Sequence, residues 1–236
     1  MSKWLASIQS LEEAQLLLAD LPDILDMKNP SKGALGALTV DIVAQVVTLV
    51  EGRCQTSATI GDLPMQADLI SSAMIEMAGT GVDYIKIGLF PDDSLLGCIT
   101  DLADTISKLK VPVIAVVFAD KTPKEDIIPQ LKTSGFNGVM VDTAIKNGLH
   151  LLDHWDRLKL IDFVKKVQQQ EMLCGLAGAL RYEDIQLLQP LTADYLGFRS
   201  ALCHQRQRTA TIDLALVKRI QQAIHQQAEA VTTASA

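Results

Sequence analysis

Short runs of β-branched and apolar residues alternate along this chain with longer stretches in which apolar positions recur every three or four residues. The short runs suit strands covered on both faces, and the longer pattern suits helices with a single apolar stripe. Eight such pairs can be counted. The predicted strands are WLASI (4–8), ILDM (24–27), QTSAT (55–59), YIKIG (84–88), VIAVVF (113–118), GVMVD (138–142), CGLA (174–177) and YLGF (195–198). Helical patterns begin near Leu11, Thr39, Pro64, Ser94, Pro123, Leu158, Tyr182 and Asp213. Two of these entries carry capping chemistry. Ser10 precedes LEEAQ with Glu13 three positions on, and Thr122 precedes Pro123 where a first-turn proline is tolerated.

Strands that alternate with helices call for a parallel sheet, because each strand must be reached by a crossover. Eight βα units in 236 residues match a single-domain α/β fold, the (β/α)8 TIM barrel, whose typical length is about 250 residues and whose active site lies at the carboxyl ends of the strands. No linker rich in Gly, Pro or Ser divides the chain. Residues 1–227 read as the barrel, and 228–236, AEAVTTASA, as a frayed or disordered tail.

Composition narrows the class further. With 48% hydrophobic residues the chain can bury a sizeable core, and a formal charge of −7 disfavours nucleic acid or an anionic membrane as partner. MSKWLASIQSLEEAQ reaches acidic and polar residues too soon for a signal peptide, and no stretch approaches a membrane span. The expectation is a soluble cytoplasmic protein. Cys54, Cys98, Cys174 and Cys203 lie 44, 76 and 29 residues apart, which fits neither a CxxC pattern nor a disulfide framework, so reduced, mostly buried thiols are expected. Helical faces rich in Leu, Val and Ile point to a homo-oligomer.

The barrel reading makes charges at strand ends informative. Residues two apart on a strand share a face, so Asp26 and Lys28 project together into the barrel mouth, either as an ion pair or as working groups. Lys86 repeats the theme within DYIKIGLF, Asp142 ends the sixth strand, and Lys146 follows in the next loop. An amine becomes a nucleophile only once it loses its proton, and burial or a neighbouring cation lowers a lysine pKa from about 10.4 towards roughly 7–8. Such an amine condenses with an aldehyde or ketone to an imine, an electron sink for enamine formation, carbon–carbon bond formation or β-elimination. Asp26 and Asp142 would orient the amines and relay protons.

After the last two strands, Gly175 and Gly178 in CGLAGALRYEDI and Gly197 and Arg199 in YLGFRSA fall where barrels often bind phosphate. Gly178, Gly197 and Arg199 are therefore assigned to a substrate phosphate, with Arg199 as a bidentate grip. Arg206 and Arg208 in CHQRQRTATID suit a solvated loop, a subunit contact or a lid near that phosphate. His150 and His154 are four apart but imply no third ligand, so a solvated face is read there and no metal or cofactor is assigned.

Together, DMKNPSKGALGA (26–37), SATIGDLP (57–64), GVDYIKIGLF (81–90), VMVDTAIKNG (139–148), LAGAL (176–180) and LGFRSALC (196–203) resemble the (5-formylfuran-3-yl)methyl phosphate synthase family of methanofuran and methylofuran biosynthesis. The resemblance spans the chain to about residue 225. It implies a lyase that joins two molecules of glyceraldehyde 3-phosphate into a phosphorylated furaldehyde with loss of phosphate and water, so the partner is a small phosphorylated aldehyde. It also implies that Lys28 forms the Schiff base and Lys86 acts as acid or base, with Asp26, Asp142 and Lys146 as companions. Two segments depart from the family pattern: CHQRQRTAT is less glycine-rich, and ADKTPKED is shorter than in archaeal relatives. Competing readings are a Schiff-base aldolase on a sugar phosphate and a non-catalytic barrel that binds phosphometabolites. A decarboxylase of the orotidine-phosphate type needs a DxKxxD pattern, and Ser31 stands where its second aspartate belongs.

Overall fold

A computed structural model of the protein describes residues 2–145 and 147–234. Eight parallel strands close into a barrel in chain order: β1 (Lys3–Ile8), β2 (Ile24–Met27), β3 (Gln55–Thr59), β4 (Tyr84–Gly88), β5 (Val113–Phe118), β6 (Gly138–Asp142), β7 (Leu173–Leu176) and β8 (Tyr195–Phe198). β8 pairs with β1, placing Leu5 opposite Gly197 and Ala6 opposite Phe198. The helices are α1 (Leu11–Leu17), α2 (Val40–Val50), α3 (Ala67–Ala78), α4 (Leu95–Asp101), α5 (Ala103–Lys108), α6 (Ile128–Thr133), α7 (Leu151–His154), α8 (Arg157–Gln169), α9 (Ile185–Leu188) and α10 (Leu214–Ala234). This is the TIM barrel that the alternating pattern predicts, with strand boundaries within a residue of those expected.

Alternation along each strand splits the apolar residues into two cores. On β1, Trp4, Ala6 and Ile8 join the large cluster between sheet and helices. Leu5, from the opposite face, joins a separate interior cluster with Ile24, Ile114, Val116, Phe118, Met140, Ala177 and Tyr195. Glycines make room for the large members of that interior. A Cβ on Gly175 would lie 2.4 Å from the Tyr195 ring, so β7 stays bare where β8 contributes its tyrosine.

The helical layer departs from expectation at Pro123 and at Tyr182. Pro123 does not open a helix: Lys121 bridges back to Phe118, Asp126 accepts the Ile128 N–H (3.1 Å), and α6 begins there with Pro129 in its first turn. The helix predicted near Tyr182 shrinks to a 3-10 turn, Tyr182–Asp184, followed by the four residues of α9 and a second 3-10 turn, Gln189–Leu191. α10 runs to Ala234 and so includes part of the segment read from sequence as a tail.

The four cysteines are free, with Cys98, Cys174 and Cys203 buried and Cys54 half-buried. Burial pushes the thiols of Cys98 and Cys203 up to about 11. Among the described residues, no helix is long and apolar enough to cross a membrane, and no group of three His, Cys, Asp or Glu is placed to hold a metal ion.

Candidate active site

Asp26 is fully buried on the inner face of β2 and accepts three hydrogen bonds: from Ser7 Oγ (2.7 Å), Ser57 Oγ (2.7 Å) and Lys86 Nζ (2.6 Å). These partners come from β1, β3 and β4, so the carboxylate ties four strands together at one level of the barrel. Burial alone would raise the Asp26 pKa, but the charges of Lys86 and Lys28 outweigh it and the net direction is down. Lys86, 2% exposed, is lowered as well: loss of water is the largest cause, Asp26 opposes it, and the Lys28 charge adds to it.

The sequence left open an ion pair between Asp26 and Lys28. The structure crosses the partners instead. Lys28 Nζ lies 3.6 Å from Asp142 Oδ2 across the barrel mouth, and Asp26 belongs to Lys86. Asp142 also accepts the Thr143 N–H through Oδ1 (2.7 Å). Lys146 lies outside the described residues.

The motif that carries Lys28 is built to fix its backbone. Lys28 N–H continues the ladder to the Ile8 carbonyl (3.0 Å), and Asn29 N–H donates to the Gly36 carbonyl (2.6 Å). The Asn29 side chain accepts from Ser31 N–H (3.0 Å) and Oγ (2.6 Å), capping the 3-10 turn Pro30–Lys32. Gly33 follows at φ +127°, where any Cβ would lie 2.0 Å from Asp62 Oδ2. Asp62 in turn accepts the N–H groups of Ala34 and Leu35 (both 2.8 Å). Ser31, spent on Asn29, supplies no second acid of the orotidine-decarboxylase kind.

A cavity of about 410 Å³ opens at the carboxyl ends of the strands, inside the size range of small-ligand sites. Its lining includes Lys28, Asp142, Ser7, Met140, Gly178 and Ser200, together with Arg206 and Arg208. Lys86 is not on this surface. It lies a layer below, paired with Asp26, and borders a smaller cavity of about 150 Å³ at the amino ends of the strands together with Tyr84 and Tyr195. The expectation that both lysines project into the mouth thus holds for Lys28 alone.

One of the phosphate assignments needs correction. Arg199 is buried, and its guanidinium binds Glu13 and three main-chain carbonyls, which uses all of its N–H groups and leaves none for a ligand. Gly197 lies within β8, as the strand reading has it, and lines the cavity; a Cβ there would lie 2.9 Å from Met140 Cε. Gly178 does belong to the turn after β7, at φ +111°, with its carbonyl accepting the Leu151 N–H (2.9 Å).

Arg206 and Arg208 line the cavity together with Lys28 and Arg199, so the loop that carries Arg206 and Arg208 runs beside it. Burial, opposed by Asp142 and Asp62, holds the Arg208 pKa below its ordinary value. Ser200 Oγ, at the head of the 3-10 turn Ser200–Leu202, is buried without a hydrogen-bond partner among the described residues. Such a hydroxyl, on a residue that shares the cavity lining with Arg206 and Arg208, is the kind of donor that an anion would satisfy.

His150 is buried rather than solvated: its Nδ1 meets Asp153 and its Nε2 lies 3.4 Å from Asp184. It anchors the start of α7 behind the cavity, beside Gly148 and Leu149 in the lining. Ser7, Ser57, Glu13 and Ser200 were missed from sequence. Ser7 and Ser57 had one usable signal, a hydroxyl at an inward strand position in WLASI and QTSAT.

A family model described as 4-HFC-P synthase matches residues 4–221 of the chain. A (5-formylfuran-3-yl)methyl phosphate synthase from Methanococcus aeolicus is 32% identical over 228 residues, covering 92% of this chain and 97% of the relative. The synthase of that name from Archaeoglobus fulgidus is 32% identical over 237 residues, covering 94% of this chain and 99% of its own. Among solved structures, phosphoribosyl anthranilate isomerase from Thermotoga maritima superposes with TM-score 0.67 at 11% identity over 95% of this chain and 99% of its own. A 3-hexulose-6-phosphate synthase superposes with TM-score 0.62 at 17% identity over 94% of this chain and 99% of its own. At these identities the structural likeness speaks for the barrel alone.

Proposed function

The chain belongs to the 4-HFC-P synthase family and is an enzyme, and from that premise we propose that it condenses two molecules of glyceraldehyde 3-phosphate into (5-formylfuran-3-yl)methyl phosphate through an imine on Lys28. Atom balance requires the loss of one phosphate and two molecules of water. The observation that carries the imine assignment is the position of Lys28: among the described residues it is the lysine whose side chain lines the mouth cavity.

The uncharged Lys28 amine attacks the aldehyde carbon of one triose phosphate, and loss of water leaves a protonated imine. The imine acidifies the neighbouring C–H, and removal of that proton gives an enamine. The enamine supplies the electrons for bond formation to the second aldehyde, and the imine acts as sink for β-elimination of phosphate. Asp142, 3.6 Å from the amine, is placed to exchange protons during carbinolamine collapse.

Lys86 is the proton reservoir. Its route to the cavity runs through Asp26 and the Ser7 hydroxyl, which donates to Asp26 and lines the cavity. A lowered pKa suits that role, because proton exchange is fastest when neither state is strongly preferred. Lys146 joins this set on the strength of the family motif. The phosphate of the bound triose meets Ser200, Arg206 and Arg208 beside the Gly178 turn.

Borohydride added during turnover should leave a covalent mass increase on the peptide that contains Lys28, with a furan absorbance and free phosphate appearing in its absence. Turnover that persists with no adduct on Lys28 rules out the imine. Reversible cleavage of a sugar phosphate without furan formation would instead identify an aldolase.

A further inference from the structure

The Glu13–Arg199 ion pair takes part in none of these steps, yet both side chains are buried in the wall beside the mouth. Arg199 Nη1 donates to Glu13 Oε2 (2.6 Å) and to the Ser7 carbonyl (3.1 Å); Nη2 donates to Glu13 Oε1 (3.1 Å) and the Ala210 carbonyl (2.8 Å); Nε donates to the Arg208 carbonyl (2.7 Å). Glu13 also accepts the N–H groups of Gln9 (2.9 Å) and Ile212 (3.2 Å). From sequence, Glu13 looked like the return half of a capping box on Ser10. In the structure Ser10 does cap α1, but the Glu13 carboxylate has turned to Arg199 and to the end of the loop that follows β8.

That loop is closed at its base by a bridge between Cys203 and Ile212 and tied at its side by Gln9 Nε2 on the Thr209 carbonyl (3.1 Å). Its inner edge carries the cations. Arg208 Nη1 donates to the Gly33 carbonyl (3.1 Å) and Arg206 Nη2 to the Ala179 carbonyl (3.3 Å), so the loop spans from the Lys28 motif to the turn after β7. Gln205 and Arg206 are both left-handed, φ +51° and +57°, a conformation that side-chain-bearing residues hold only when their surroundings impose it.

We propose that the Glu13–Arg199 pair is a clasp that positions substrate-binding groups. By fixing the carbonyls of Arg208 and Ala210, it holds the 203–212 loop in the conformation that turns Arg206 and Arg208 toward the substrate phosphate. The proposal rests on the reading above that the substrate is phosphorylated. Glu13 and Arg199 are positioning residues, acting through Arg208 without touching substrate.

The test uses the full chain carrying Glu13→Gln, which keeps the shape of the side chain and removes its charge. The KM for glyceraldehyde 3-phosphate should rise roughly tenfold, with kcat within about twofold, because the loss falls on binding of the phosphate. Trypsin should cleave after Arg206 and Arg208 sooner than in the wild type, as read by mass spectrometry. The decisive arm repeats the substitution in an Arg208→Ala background, where the added rise in KM should shrink to less than about twofold because both changes act through one group. An equal penalty in both backgrounds, or a loss of kcat with KM unchanged, overturns the clasp.

Should Glu13→Gln fail to fold, Glu13→Asp keeps the charge at shorter reach and should give the same pattern more weakly. If the wild type does not turn over glyceraldehyde 3-phosphate, the proposed reaction fails separately. The clasp is then read from inorganic phosphate binding by calorimetry, which Glu13→Gln should weaken by a similar factor; unchanged phosphate affinity together with unchanged trypsin cleavage overturns it.

Discussion

Asp26–Lys86 and Glu13–Arg199 are both carboxylate–cation pairs withdrawn from water in one barrel, but their cations are bound in different ways. Arg199 has every N–H engaged. Lys86 Nζ, among the described residues, has Asp26 as its hydrogen-bonding partner and keeps donors in reserve, with a pKa lowered chiefly by burial. A guanidinium so saturated can neither release a proton nor greet a ligand, so its charge serves geometry. An ammonium held by one carboxylate inside the barrel can change protonation state without dismantling its surroundings. Buried charge alone therefore does not mark chemistry; the number of uncommitted donors separates the two cases.

The largest test of that contrast breaks both pairs. Removing one partner of a buried pair strands the other charge and typically costs about 3–5 kcal/mol. Lys86→Met and Arg199→Met should both lose stability on that scale in urea unfolding. Turnover should divide them: Lys86→Met loses roughly 10²–10⁴-fold in kcat, the usual size of a general acid or base, whereas Arg199→Met keeps kcat and loses substrate affinity. In Lys86→Met/Asp26→Asn the stranded charge is gone, so stability should largely return while activity does not. Recovery of activity in that double variant would assign Asp26–Lys86 to structure as well.

A smaller effect separates the pairs by pH. Asp26 has a folded pKa below its ordinary 3.8, so its contribution is present above that value and disappears as pH falls through the folded pKa. Lys86 works in the opposite direction at the other end of the scale. Its folded pKa is below 10.5, and between the two values the unfolded chain binds a proton that the folded chain lacks, so stability rises with pH across that window. Wild type minus Lys86→Met/Asp26→Asn should therefore give an unfolding free-energy difference that drops in acid and climbs on approaching 10.5. A difference that is flat on the alkaline side would mean that Lys86 is not lowered, and the case for its role as proton reservoir would weaken with it.

The sequence made the barrel readable because strand and helix periods differ and most strands are short runs rich in apolar and β-branched residues. The failures fall where local signals compete. Thr122-Pro123 looks like a helix entry, but Asp126 and Pro129 offer a second entry further on, and the bridge of Lys121 to Phe118 selects it. At the site, Asp26, Lys28, Lys86 and Asp142 were legible as charges at strand ends, but their pairing was not. Neighbours along one strand, Asp26 and Lys28, lost to partners across the barrel, a matter of closure that spacing within one strand does not encode. Arg199 illustrates the same limit. Its place after β8 suits a phosphate grip, and only the acid supplied by α1, 186 residues away in sequence, shows that the grip is already taken.

The smallest expected effect concerns Ser200, whose two consequences should have opposite signs. A buried hydroxyl without a partner carries a desolvation cost of about 1–3 kcal/mol, so Ser200→Ala should leave stability unchanged or raise it by up to roughly 1 kcal/mol. If that hydroxyl instead finds its partner in a substrate phosphate oxygen, the same change should raise KM by about three- to tenfold with kcat preserved. Thermal unfolding and steady-state kinetics on one preparation read both. A gain in stability with no change in KM would remove Ser200 from the anion site and leave Arg206 and Arg208 to hold the phosphate. A loss of stability would mean that the hydroxyl is satisfied within the folded protein and is not waiting for a ligand. Only a stability that holds or rises, joined to weaker binding, fits a donor kept unsatisfied for the phosphate, and that is the counterpart on the ligand side of the fully committed guanidinium of Arg199.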